Sequence, residues 1–223
     1  MIARHSLLAT LLLGALLTLP LAAKAAATAA ATPFTASYRL EVRGWPNATI
    51  DHRLTRDGAS WYSEMRGAIA VARGQERSRF MINENGVNAL QYASGYSLLG
   101  FGGDYRLAPG DLTELPDRQS ALFELSRRAV SQECESSCEL RYLDHRGREE
   151  RLTFRPLDRE TLRLPAGEFE AVRVEVTEPD TPERRLEFSC HPELPGLLLA
   201  VDYHRDGQRR SRLSLSSLEL PTP

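Results

Sequence analysis

FTASYRLEVRG, residues 34–44, decides how the rest of the chain is read. Ala36, Tyr38, Leu40 and Val42 fall in one phase of a two-residue alternation, and Thr35, Ser37, Arg39, Glu41 and Arg43 fall in the other. Successive side chains of an extended strand point to opposite faces. This stretch therefore reads as an antiparallel strand with one face on a core and one in water.

The same alternation recurs outward from it. ATIDHRLTR (48–56) brings Ile50, His52 and Leu54 into phase, and Asp57-Gly58 follows as a hairpin signal. ASWYSEMRGAIAVA (59–72) reads as one long strand with Trp61, Ser63, Met65, Gly67, Ile69 and Val71 on one side. ERSRFMIN (76–83) carries Phe80 and Ile82, Asn85-Gly86 turns the chain, and VNALQYAS runs on toward the glycine-rich YSLLGFGGDYRL (96–107). One segment has helical spacing. After Pro116-Asp117, the residues Leu122, Leu125 and Ala129 recur at i, i+3, i+7. Asp117 suits an N-cap, and Arg127 and Arg128 suit the C-terminal end of the dipole. Alternation then resumes over 138–144, 150–156, 160–165, 168–178, 184–190, 196–205 and 209–220. In the last stretch Leu213 and Leu215 share one phase while Leu218 and Leu220 share the other, which predicts a bulge near Ser216-Ser217.

About a dozen strands and one short helix near 117–130 make a mainly β, or β-dominated α+β, fold. Hairpins with one apolar face cannot stay flat. Twist, and the need to bury that face, should curl one antiparallel sheet into a roll or open barrel, with the helix plugging its interior.

The chain has 223 residues and opens with Arg4 and His5 ahead of an apolar run, Ser6 to Leu21. Ala23-Lys24-Ala25 is an A-x-A pattern, so residues 1–25 are expected to be a signal peptide cut after Ala25. The run is shorter than the ~20 residues of a membrane span, so no transmembrane anchor is expected. Residues 26–33 read as a flexible Ala/Thr/Pro leader, and 34–223 as one domain. The expected location is the periplasm. Removing Arg4 and Lys24 leaves 26 basic against 30 acidic residues, which does not suggest nucleic acid. Lys24 is the sole lysine, so the expected mature chain is basic through arginine alone. Arginine forks recognise phosphate or carboxylate, although codon bias is the simpler account. Acidic residues interleave with them, and no single-sign patch is visible along the chain.

Cys134 and Cys138 flank Glu135-Ser136-Ser137, a turn-like spacer. In an oxidising compartment this pair reads first as a disulfide. Cys190 is left as a buried thiol, or as the partner of either across the fold. A zinc site from the three cysteines and His191 lacks C-x-x-C spacing, so no metal is expected.

Four stretches, PFTASYRLEVRG, PDRQSALFELSRR, PAGEFEAVRVEV and the final LEFSCHPELPGLLLAVDYHRDGQRRSRLSLSSLEL, together resemble the DUF3108 family of exported bacterial envelope proteins of unknown function. The resemblance spans nearly all of the chain after the expected cut. It implies a curled β-roll, like the open half-barrels of lipoprotein carriers. Two departures stand out: the family often has an aromatic, usually Trp, where this chain has Phe188-Ser189-Cys190, and the CESSC insertion is not a family feature. The family supplies no catalytic residues.

The residues themselves supply none either. After the expected cut the histidines are His52, His145, His191 and His204, and there is no G-x-S-x-G elbow. Asp51-His52 is the one dyad candidate, but neighbours on a strand point to opposite faces. Gly95 to Tyr105 is not a nucleotide-binding glycine motif, so no cofactor is expected. It reads instead as a coiled sheet edge, or as the lip of an apolar pocket with Tyr96, Leu98 and Phe101. The expected function is non-catalytic binding of a lipid or other apolar ligand on the concave face, with Tyr38, Leu40, Trp61, Phe80, Leu199 and Val201 completing the inward set. The alternative is a structural or protein-interaction component of the envelope, working through open sheet edges. A hydrolase stands behind both.

Overall fold

The computed structural model describes residues 30–221 apart from residues 70 and 133. The signal peptide expected over 1–25, and the expected leader up to residue 29, lie outside the described residues. Among the described residues the elements run β1 (Phe34–Val42), β2 (Ala48–Asp57), β3 (Ser60–Ile69), β4 (Ala72–Asn83), β5 (Gly86–Leu98), β6 (Phe101–Leu107), α1 (Arg118–Ser131), β7 (Cys138–Leu143), β8 (Glu149–Pro156), β9 (Glu160–Leu164), β10 (Gly167–Thr177), β11 (Arg184–Cys190), β12 (Leu198–Arg205) and β13 (Gln208–Glu219).

Short hairpins make chain neighbours into sheet neighbours. β1 to β6 pair in sequence to form an N-terminal wing. β13 returns to pair with β1, and β12, β11, β10, β8 and β7 continue outward as a C-terminal wing. β9 pairs with the first half of β10, and β8 with the second half. The result is one curled antiparallel sheet, as the alternation predicts, with its outer strands β6 and β7 not hydrogen-bonded to each other. Side chains bridge that seam instead. Tyr92, Leu107, Leu112 and Leu143 pack in one cluster, and Tyr105 meets His145 edge-on at 4.6 Å.

The predicted bulge is present. Ser37 pairs with Ser217 and Tyr38 with Leu215, so Ser216 is the extra residue. Its hydroxyl donates to the Ser37 carbonyl at 2.9 Å, satisfying a group the bulge would otherwise leave open. Two strand expectations need correction. The run 59–72 is two strands, β3 ending at Ile69 and β4 starting at Ala72, and the run 96–107 is split by a turn at Leu99-Gly100. Val71 is not a turn-favouring residue, so alternation reads through the first turn, while Gly100 at the second is one of several glycines that also read as bulges within a strand.

Helix α1 connects the two edges and lies inside the roll. Asp117 caps it, its Oδ1 accepting from the backbone N–H groups of Gln119 and Ser120. Its Oδ2 accepts from the Ser78 and Ser120 hydroxyls at 2.6 and 2.9 Å. Burial raises this carboxyl's pKa, and those donors oppose the rise. The helix then fills the lower half of the concave face. Phe123 packs on Phe80 with ring centroids 5.1 Å apart, among Phe34, Tyr38, Leu54 and Trp61. A second face, with Ala121, Leu125 and Ala129, packs on Val172, Val174 and Phe154 of the C-terminal wing. Cys134 and Cys138, just past the helix, are joined in a disulfide with Cα atoms 5.9 Å apart. Cys190 is free and buried, and desolvation pushes its thiol up to about 11.

Candidate functional site

The helix ends the closed core along a polar line. His52 Nε2 lies 2.9 Å from Ser63 Oγ, which accepts from the Gln119 amide at 2.8 Å. Beyond that line, toward the turns at 44–47, 69–72 and 98–101, the concave face has no helix over it. A groove of about 720 Å³ opens there.

Strand register identifies its floor. Leu40 pairs with Ala48, Ile50 with Gly67, and Gly67 with Gly74, so these residues share one face across β1 to β4. Met65, Ile69 and Tyr96 complete the apolar lining. Glycines face each other across β3 and β4 here, at Gly67 and Gly74. At Gly67 the Ile50 side chain fills the space, its Cδ1 2.3 Å from where a Cβ would lie, while at Gly74 the absent side chain leaves room that opens into the groove. A Cβ at Gly74 would meet no atom within 4 Å. At Gly102 a Cβ would lie 1.8 Å from the Tyr96 carbonyl oxygen, so close backbone approach requires glycine there.

The rim is polar and comes from far along the chain. The Arg118 guanidinium, first in α1, pairs with the Glu76 carboxylate, which also accepts from the Tyr92 hydroxyl at 2.5 Å. Burial and that carboxylate push the Tyr92 phenol pKa up, so it stays a donor. His145 and Arg146, from the turn after β7, line the opposite side, with the Arg146 guanidinium 5.7 Å from the Tyr105 ring. The groove thus has an apolar floor under a rim of charged and hydrogen-bonding groups, in which Glu76 already pairs with Arg118.

The nine residues expected to bind a ligand divide by depth. Leu40 and Tyr96 line the groove. Leu98 and Phe101 stand exposed beside it at the next hairpin tip. Tyr38, Trp61, Phe80 and Leu199 are sealed in the core, and Val201 is half-buried against that core. Periodicity placed all but the hairpin residues on the inward face but could not say which lie under α1. Sequence reasoning missed Glu76, Arg118, His145 and Arg146, because the curl alone brings them together.

The Asp51-His52 dyad does not form. Asp51 accepts from the Ser37 hydroxyl at 2.7 Å on the convex side, while His52 is buried with Nδ1 unpartnered. Ser63 stands beside His52, but both side chains are buried and no carboxylate orients the imidazole. Desolvation lowers the His52 pKa to about 4. Among the described residues no group of three potential ligands is placed to hold a metal ion. No described helix is long and apolar enough to cross a membrane.

No family model matches the chain, so the likeness to DUF3108 rests on the stretches quoted above. No curated protein matches either. Among solved structures the chain is similar to a candidate lipoprotein from Parabacteroides distasonis (12% identity, TM-score 0.39, covering 84% of this chain and 95% of that one). It is also similar to an exported protein with YmcC-like fold from Bacteroides fragilis (12% identity, TM-score 0.40, 83% and 95%). A third likeness is to a chain of the MucA/MucB complex of Pseudomonas aeruginosa (12% identity, TM-score 0.41, 86% of this chain), of which it spans about half, 53%.

Proposed function

We propose that the protein is an exported, non-catalytic binding protein that holds the apolar chain of an amphiphile in the groove. The observation that carries this reading is the groove itself: Leu40, Ile50, Met65 and Tyr96 beneath a rim of Arg118, His145 and Arg146. Roughly 25 cal/mol per Å² of buried apolar surface drives the chain in, and the rim orients the anionic end. Acid–base or nucleophilic chemistry finds no support, since the buried His52–Ser63 pair has no access to a substrate.

A groove-filling variant tests it. Gly74 has room for a side chain and a φ outside the left-handed region, so Gly74→Phe should keep the fold and occupy the groove. Native mass spectrometry of protein purified from its own envelope should show a lipid-sized adduct that Gly74→Phe loses. Uptake of a fluorescent fatty acid should fall roughly tenfold or more in the variant. A consistently ligand-free mass together with equal uptake by both proteins would refute the reading.

A second reading, a protein-interaction role, draws on β6, whose outer edge pairs with no strand among the described residues. Crosslinking in intact cells from β6 would recover a partner on that reading.

A further inference from the structure

The hairpins β3–β4 and β5–β6 end side by side, tied by a hydrogen bond from the Leu99 N–H to the Val71 carbonyl at 2.7 Å. Together they expose Val71, Leu98, Leu99 and Phe101, with Leu99 70% and Phe101 83% accessible. A third turn at the same end of the sheet exposes Trp45. Single exposed apolar residues are ordinary, but a contiguous cluster on adjacent tips marks a contact surface.

Leu99 is also in the wrong backbone conformation for a leucine. Leu99 and Gly100 form a two-residue turn with φ of 53° and 87°. Both central positions of such a turn favour Asn, Asp or Gly. The same fold shows the ordinary solution at the β12–β13 turn, where Asp206-Gly207 adopts φ of 53° and 72°. A leucine that is both exposed and left-handed serves neither packing nor the turn, and strain of this kind collects at functional sites.

The convex side of the same wing carries the complementary signal. Cross-strand register sets Arg53 opposite Glu64, Glu64 opposite Arg77, and Arg77 two strands from Arg106. Arg66 and Arg79 join them around a shallow depression of about 540 Å³. Glu64 is the one acidic residue lining it, bonded to Arg66 at 2.7 Å and 3.8 Å from Arg77. The patch is arginine-rich rather than single-sign: strand pairing gathers five arginines that lie far apart along the chain around one glutamate. On the C-terminal wing the arginines are balanced, as with Arg155 on Glu175 and Arg212 on Asp202.

From these observations we infer that the N-terminal wing docks on an anionic lipid surface, the paired tips entering the acyl boundary and the convex arginines meeting the headgroups. Protruding apolar tips suit a fluid that closes around them, and excess arginine suits an anionic surface. The inference stands apart from the groove reading, since the wing can dock whether or not the groove holds a ligand.

Vesicle flotation tests it, with processed protein isolated from the envelope and phosphatidylethanolamine vesicles with or without phosphatidylglycerol. Binding should need the anionic lipid and weaken with added salt. Leu99→Asn combined with Phe101→Ser should lower partitioning roughly tenfold or more. The melting temperature should hold or rise, because Asn accepts the left-handed turn. Arg77→Gln with Arg106→Gln should remove the preference for phosphatidylglycerol while leaving fatty-acid uptake unchanged. Absence of flotation, flotation indifferent to the Leu99/Phe101 variant, or capture of a protein rather than lipid by a photocrosslinker at position 99 would each overturn the proposal.

Discussion

The two halves of the concave face are built from the same strands and end differently. In the lower half α1 lies over β4 and β5, and Phe80, Tyr38 and Leu199 are sealed beneath it. In the upper half the strands run past the helix N-terminus, and Leu40, Ile50 and Met65 line a groove. The boundary is the polar line of His52, Ser63, Gln119 and Asp117. A strand's apolar face is therefore not uniformly core. What covers it decides whether a residue stabilises the fold or remains free to bind.

The largest test of that contrast pits one phenylalanine against another. Phe80→Ala should cost about 3–5 kcal/mol in chemical denaturation, since it removes a buried ring and leaves a cavity. Phe101→Ala should change stability by no more than about 0.5 kcal/mol, because the ring is already in water. Equal losses would erase the distinction between the closed and open halves.

A smaller effect probes the boundary. The pKa of His52 is lowered to about 4, below that of a histidine in the unfolded chain. The unfolded state therefore binds the extra proton first as pH falls. Stability is fully present above about pH 6.5 and is lost progressively as pH falls toward about 4. That loss should be on the order of 3 kcal/mol for the wild type, and much of it should vanish in His52→Gln. Denaturation midpoints measured across that window decide it, and a slope unchanged by the substitution would assign the acid sensitivity to other groups.

The smallest effect lies at the far end of the helix. The Cys134–Cys138 disulfide closes a short loop, so Cys134→Ser with Cys138→Ser should lose at most about 2 kcal/mol. Groove binding should be unaffected, because the staple lies beneath the C-terminal wing, with Cys134 near Phe154.

Much of this was legible in particular residues. The alternation around Tyr38 gave the strand, Asp117 the helix start, and the change of phase after Leu215 the bulge at Ser216. The hairpin turns between β3 and β4 and between β5 and β6 were not legible. Turn reading depends on Gly, Pro, Asn and Asp; Val71 at the first tip is none of these, and Gly100 at the second stands among Gly95, Gly102 and Gly103, which also read as bulges within a strand. The misreading thus fell on the segment whose residues are least explained by folding alone, as is common for functional sites. Of the site, Leu40 and Tyr96 could be named from phase and glycine content. Glu76, Arg118, His145 and Arg146 could not.

The sequence by itself determined that apolar faces alternate along short strands, because side-chain direction in a strand is local geometry with a period of two. It also determined where the one helix begins, because capping acts within a few residues. The tertiary structure alone decided which inward residues are sealed, which arginines gather on one convex face, and that Arg118 and Arg146 share a rim. Those outcomes depend on how far the sheet curls and where α1 comes to rest. Both are set by the summed packing of residues more than a hundred positions apart, which no local pattern encodes.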